Sequence, residues 1–230
     1  MTQDSPTRLL EASGLGQRVQ TPEGPLTLLA DITLSLNQGE ALAILGASGS
    51  GKSTLLGLLA GLDLPSDGHC ALFGHNLNTL DEEARAALRA GRVGFVFQSF
   101  QLLPGLSALE NVALPLELRG DTDALKKAQA ALEDVGLGAR LQHDPARLSG
   151  GEQQRVAVAR AFAPEPEILF ADEPTANLDV QTGALLADQL FALRQRHNTA
   201  LVLVTHDPAL AARCDRQLHL HQGRIVDKRV

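Results

Sequence analysis

Gly46-Ala47-Ser48-Gly49-Ser50-Gly51-Lys52-Ser53-Thr54 decides the reading of this chain, because the residues on either side make sense as its supports. Ahead of it, Ala41-Leu42-Ala43-Ile44-Leu45 is all apolar, which suits a parallel strand buried on both faces. Behind it, Leu55, Leu56, Leu58, Leu59 and Ala60 predict a helix that is apolar nearly all round and stops at Gly61. A glycine-rich segment between such a strand and such a helix reads as a phosphate-binding loop. Gly46, Gly49 and Gly51 admit backbone conformations closed to other residues, so successive amide N–H groups can turn toward a β-phosphate at a helix N-terminus. Lys52 then reaches the β- and γ-phosphates and the Ser53 hydroxyl ligates Mg²⁺, so all nine residues are assigned to a nucleotide. A glycine-rich turn that binds nothing would leave both flanks unexplained.

A chain of 230 residues, 44% of them hydrophobic, can bury a core and fits one domain with a subdomain. No apolar stretch reaches the roughly 20 residues of a membrane helix. The start, Met1-Thr2-Gln3-Asp4-Ser5-Pro6, lacks the basic-then-apolar form of a signal peptide, so a cytoplasmic location is expected. The two cysteines, Cys70 and Cys214, lie far apart and read as packing residues of a reducing compartment. A net charge of -7, with Lys126-Lys127 as the only adjacent lysine pair, gives no footprint for a nucleic-acid backbone.

The first forty residues read as short extended segments, with Ile32, Leu34 and Leu36 alternating before a turn at Asn37-Gln38-Gly39; they predict an antiparallel sheet. Gly68 to Phe73 is a further strand, Asp81 caps a helix through Leu88, and Val93 to Phe97 forms a strand ending at Gln98. From Leu102 to about Leu148 the chain reads as a helical insertion. In it Thr122 caps a segment whose Leu125, Ala128, Leu132 and Val135 share one face, with Gly136 as the stop. Ile168 to Ala171 and Leu201 to Val204 are two more buried strands, separated by a helix carrying Leu186, Leu190 and Leu193 on one side. This alternation implies a parallel sheet.

Asp172 and Glu173 close one of those strands, where open α/β sheets place their ligands. In a phosphate-loop protein Asp172 holds the Mg²⁺ shell and Glu173 polarises the water that attacks the γ-phosphate. Pro174 is expected to bias Glu173 toward extended backbone angles. Leu148-Ser149-Gly150-Gly151-Glu152-Gln153-Gln154-Arg155 is a second glycine-bearing helix start with Ser149 as cap. Such an end binds anions, yet it carries no lysine like Lys52, and taken alone a plain capped helix fits it as well.

These motifs occur in the order of an ABC-type ATPase: the phosphate loop, Gln98, Leu-Ser-Gly-Gly-Glu-Gln-Gln-Arg, Asp172-Glu173, Ala176-Asn177-Leu178-Asp179 and Thr205-His206-Asp207. Throughout its length the chain resembles the ATP-binding subunit of an ABC transporter. Phe97-Gln98-Ser99-Phe100-Gln101-Leu102-Leu103-Pro104 and Ala108-Leu109-Glu110-Asn111-Val112 are similar to the lipoprotein-release and macrolide-export (LolD/MacB) group. Asp81-Glu82-Glu83-Ala84-Arg85 and Ala211-Ala212-Arg213-Cys214-Asp215-Arg216 look most like YbbA-type subunits.

The resemblance implies an ABC ATPase fold: a P-loop NTPase (RecA-like) α/β core at about 1–97 and 160–230, an antiparallel β subdomain, and an α-helical subdomain at about 98–159. It implies an ATPase using ATP and Mg²⁺, with Gln98, Glu173 and His206 catalytic and Ser53, Gln98 and Asp172 at the metal. His206, a lone histidine at a strand end, also admits a merely structural reading. Ser149, Gly150, Gly151 and Asp179 would serve the ATP held by a second copy, which accounts for an anion site without its own lysine and suggests a head-to-tail homodimer. The implied partner is a membrane permease, with the chain peripheral on the inner face of the membrane and docking through Ser99 to Leu109; the cargo is a hydrophobic or lipid-like substrate. In this family an early aromatic usually stacks on adenine. That place falls near Val19, and the chain has no Tyr or Trp and no Phe before the phosphate loop. His219 and His221 share one face of an expected strand, better read as a solvated or paired face than as a metal site. Two rivals remain open at this point: a soluble ABC ATPase with a non-transport role, and a nucleotide-binding scaffold that does not hydrolyse.

Overall fold

The computed structural model describes residues 7–226, so the expectation placed on Met1 to Pro6 lies outside the described residues. In chain order it runs β1 (Arg8–Thr21), β2 (Gly24–Asn37), β3 (Ala41–Leu45), α1 (Lys52–Leu59), β4 (Asp67–Leu72), β5 (His75–Asn76), α2 (Glu82–Arg89) and β6 (Val93–Val96). There follow α3 (Ala108–Glu117), α4 (Ala124–Asp134), α5 (Gly150–Phe162), β7 (Ile168–Asp172), α6 (Val180–His197), β8 (Ala200–Thr205), α7 (Pro208–Ala211), β9 (Arg216–His221) and β10 (Arg224–Val226). The chain divides into two compact units, one of residues up to Arg89 with those from Ala200 on, the other Ala90–Thr199.

In the first unit β3 is buried at all five positions, as its apolar run requires. It pairs in parallel with β8 on one side and β9 on the other, and β10 returns antiparallel on β9. A four-stranded antiparallel sheet, order β2-β1-β4-β5, accompanies it. Where short segments are expected before residue 40, the structure has two 14-residue strands joined as a hairpin. Register shifts between Ala12 and Arg18 break the apolar alternation, so the length of β1 does not show as a period of two. Asp81 caps α2 as expected, its Oδ1 accepting from the Ala84 N–H at 2.8 Å. Cys70 is buried, and burial pushes its thiol up to about 12, in keeping with a packing residue; Cys214 packs on Ala43, Leu45 and Ala211.

The second unit holds the parallel pair β6–β7, with α3, α4, α5 and α6 packed in succession. α4 begins at Ala124 behind Asp123 rather than under a Thr122 cap; Asp121 instead accepts from the Asp123 N–H at 2.9 Å. The buried face of α4 is Ala124, Ala128 and Leu132, while Leu125 is 54% exposed. With Asp123 rather than Thr122 at the N-cap, the helix starts one residue later than expected and Leu125 faces outward. Leu186, Leu190 and Leu193 of α6 are buried together, as their spacing predicts. No helix among the described residues is long and apolar enough to cross a membrane.

Candidate functional site

In the first unit, loop 46–51 joins the buried β3 to α1 under tight steric limits. A Cβ on Gly46 would lie 2.4 Å from the Leu220 carbonyl oxygen and 2.5 Å from Ser50 Oγ, so only glycine fits. Gly51 takes a left-handed φ of 98° and offers α1 no side-chain cap, which leaves the first-turn N–H groups to a ligand. The loop is braced from behind, Gly223 N–H donating to the Ser50 carbonyl at 3.2 Å and Ala30 N–H to the Gly223 carbonyl at 2.8 Å. Lys52 is buried to 8% exposure, with Nζ donating to the Gly46 and Ala47 carbonyls at 2.9 and 3.1 Å. Its ammonium therefore lies along the loop, beside exposed Ala47, Ser48, Gly49 and Ser53. Ser50 Oγ is buried with no hydrogen-bond partner among the described residues. Narrow glycine turns, an uncapped helix start and a cation together fit the phosphates of a nucleotide.

Leu45 pairs with Thr205, so His206, the next residue along, leaves β8 at the same strand end at which Gly46 leaves β3. His206 is exposed, and the turn after it is fixed by Asp207, whose N–H donates to Thr205 Oγ1 at 3.0 Å and whose Oδ1 accepts from Ala209 N–H at 2.8 Å. Val19 is half-buried opposite Leu26, which is 51% exposed. The residue pair expected to lie near adenine is therefore aliphatic on both sides. His219 and His221 lie on β9, and no group of three His, Cys, Asp or Glu suited to a metal occurs among the described residues.

In the second unit, Val96 pairs with Ala171, so Gln98 and the Asp172-Glu173 pair leave adjacent strands at the same end. Glu173 does not take the extended backbone expected from Pro174. Its φ is 47°, in the left-handed region, and its carbonyl accepts from Ala176 N–H at 3.1 Å to close a tight turn. A following proline disfavours the right-handed helical region; the chain meets that restriction and still reverses by turning left-handed. The Gln98 side chain is exposed while its carbonyl accepts from Asn177 Nδ2 at 2.9 Å. Phe100 and Gln101 are also left-handed, and Arg160 of α5 donates to both their carbonyls, at 3.0 and 2.6 Å.

Ser149, Gly150, Gly151 and Asp179 come together around one open cavity of about 430 Å³, into which α5 and α6 both begin. Ser149 forms a capping box with Glu152: its Oγ accepts from Glu152 N–H at 3.3 Å, while Glu152 Oε2 accepts from the Ser149 N–H and hydroxyl at 2.9 Å each. The Ser149 N–H, the Arg140 guanidinium 3.0 Å away and the Ser149 hydroxyl hold the Glu152 carboxyl down at about 2. Hydrogen bonds from Thr182, then Gln181, likewise keep Asp179 below the usual carboxylate range. Arg155, Asn177 and Thr182 also line the cavity, and sequence reasoning had not assigned them. Arg155 was discoverable, since four residues on from Gly151 a helix returns to the same face. The cavity thus has an arginine but no lysine among its lining residues.

A family model for ABC transporters matches residues 29–176. The chain is 55% identical over 222 residues to the uncharacterised ABC transporter ATP-binding protein YbbA of Escherichia coli strain K12, covering 96% of this chain and 97% of that one. It is 48% identical to the lipoprotein-releasing system ATP-binding protein LolD of Pseudomonas fluorescens, over 95% of this chain and 97% of the relative. Among solved structures, the ATP-binding cassette MJ0796, in a dimeric post-hydrolysis state bound to ADP and Pi, superposes with a TM-score of 0.89 at 36% identity, over 95% of this chain and 97% of that one.

Proposed function

Because the chain belongs to the ABC transporter family as an ATP-binding, ATP-hydrolysing subunit of the LolD and YbbA type, we propose that it drives a membrane permease by closing as a head-to-tail homodimer on two ATP molecules. The observation that carries this reading is the cavity at the starts of α5 and α6. It has two helix N-termini and Arg155 but no lysine, so it suits a phosphate already held elsewhere by Lys52 of a second copy. The dimeric state of MJ0796 supports the same assembly. Lys52 and the N–H groups of residues 47–54 hold the β- and γ-phosphates. Ser149, Gly150, Gly151 and Asp179 of the other copy close over the γ-phosphate. Ser53, Gln98 and Asp172 offer a hydroxyl, an amide oxygen and a carboxylate, all hard oxygen donors that suit Mg²⁺, which would neutralise phosphate charge when bound.

Glu173 takes a proton from water as the water oxygen attacks the γ-phosphorus, and the bond to the ADP oxygen breaks. His206 orients the γ-phosphate and that water. The division assigned from sequence, a nucleotide-binding part and a helical part at about 98–159, is kept in this reading, with the helical part passing closure to the permease through Ser99 to Leu109. The chain would work on the cytoplasmic face of the membrane, moving a hydrophobic or lipid-like substrate. The test is Glu173→Gln, which keeps shape and removes the base. Turnover is expected to fall on the order of 10² to 10⁴ while ATP still binds and a dimer accumulates on gel filtration with ATP. Parent-rate hydrolysis by this variant overturns the assignment.

A further inference from the structure

The buried side chain of Gln154 joins the two strand-end turns that carry Gln98 and Glu173. Gln154 lies on α5, 1% exposed, and its one amide nitrogen donates to the Phe97 carbonyl at 3.3 Å and to the Pro174 carbonyl at 2.8 Å. Its Oε1 is buried with no hydrogen-bond partner among the described residues. A buried acceptor left without a partner is costly, so packing alone is a poor reason for glutamine here. What distinguishes it from an apolar residue of the same length is the pair of N–H donors. The Phe97 carbonyl belongs to the peptide plane just before Gln98, and the Gln98 carbonyl, in the plane just after, accepts from Asn177. Side-chain amides therefore fix both peptide planes that flank Gln98. The Pro174 carbonyl lies inside the turn that left-handed Glu173 opens and that the Glu173 carbonyl closes with the Ala176 N–H.

We propose that Gln154 is a positioning residue for hydrolysis. It keeps the Gln98 loop and the Glu173 turn in one register and ties both to the helix whose first residues line the phosphate cavity. A phosphate drawn against Ser149 and Gly151 would then be felt at both turns through a rigid helix about one turn long between them. The inference rests on the proposed function, in which Gln98 and Glu173 act on ATP.

The test is steady-state ATP hydrolysis by the full chain carrying Gln154→Met, which keeps length and removes both donors, and Gln154→Glu, which keeps size and sets oxygen against the two carbonyls. Misplacement of a reacting group by about 1 Å costs on the order of a hundredfold. In a folded variant kcat is expected to fall about tenfold to a hundredfold with KM for ATP within about threefold, and amide exchange at 98–101 and 175–177 to quicken. A merely structural role would lower the melting temperature and leave the kcat of the folded fraction unchanged; that outcome overturns the inference. Should Gln154→Met fail to fold, Gln154→Glu is read by the same criteria. Absence of turnover in the parent chain sinks the proposed function and the inference with it, whereas parent turnover matched by both variants sinks the inference alone.

Discussion

Glu173 holds a left-handed backbone, φ 47°, at the position assigned to the base. For a residue with a side chain this region costs about 1–2 kcal/mol, and strain of this kind gathers where a side chain must be aimed. Glu173→Gly is therefore expected to leave stability to urea unchanged or raise it by up to about 1 kcal/mol while abolishing hydrolysis. Glu173→Val, whose branched side chain resists this region, should lower stability by about 1–3 kcal/mol. Equal stabilities of the two variants would mean the turn is relaxed. Val19 raises a second question, because it faces Leu26 across the hairpin and no aromatic ring stands on either strand. Without a stacking platform, base discrimination should be weak, phosphate contacts being common to all nucleoside triphosphates. Val19→Tyr is expected to tighten ATP binding by at most about tenfold to a hundredfold, the worth of one stack. A titration with no gain, or strong preference for ATP over GTP in the parent, counts against this account.

Helix α5 begins with a charge-assisted cap whose strength depends on pH. Its Glu152 carboxyl is lowered from an ordinary 4.5 to about 2 by Ser149 and Arg140, so in the unfolded chain the same group binds its proton first as pH falls. The contribution to stability is whole above about pH 4.5 and is lost as pH falls from there toward 2. Melting curves of the parent and Glu152→Gln should differ at neutral pH and converge through that window; a gap independent of pH would show that the carboxylate is not the source. The Ser149 cap was legible because it needs only a serine, a glutamate three residues on and an apolar run. The strands leading to Gly46, Glu173 and His206 were legible for a related reason, since strands buried on both faces leave continuous apolar runs. The left-handed turn at Glu173 and the reach of Gln154 to Phe97 and Pro174 were not, because a bond to a backbone carbonyl asks nothing of the residue that owns it. α4 was misread at its start because Asp121, Thr122 and Asp123 can all cap, and only packing chooses among them.

In the proposed function, closure on ATP has to reach a partner, and the segment after Gln98 is held in a fixed shape. Asn111 of α3, 1% exposed, accepts from Leu103 N–H at 2.7 Å and donates to the Leu103, Leu106 and Ser107 carbonyls at 3.2, 3.0 and 3.0 Å. Arg160 holds the Phe100 and Gln101 carbonyls at the other end. A segment held this firmly still leaves Leu103 44% exposed, with Phe100, Leu102 and Leu106 half-buried. Loops are normally polar, and an ordered apolar surface suits a partner helix better than solvent. The competing account is that these side chains serve the unit's own core, and the half-buried Leu106 is where the two accounts differ most. Leu103→Asp with Leu106→Asp separates them. If the surface docks a permease, the double variant melts within a few degrees of the parent and hydrolyses ATP alone, yet no longer co-purifies with the permease from membranes. If the leucines belong to the core, the variant loses about 2 kcal/mol or more, as expected of a charge placed where an apolar side chain was buried. Leu103→Asp alone then sharpens the answer: at 44% exposure it should fold under either account, so retained co-purification of this single variant would move the docking surface away from Leu103.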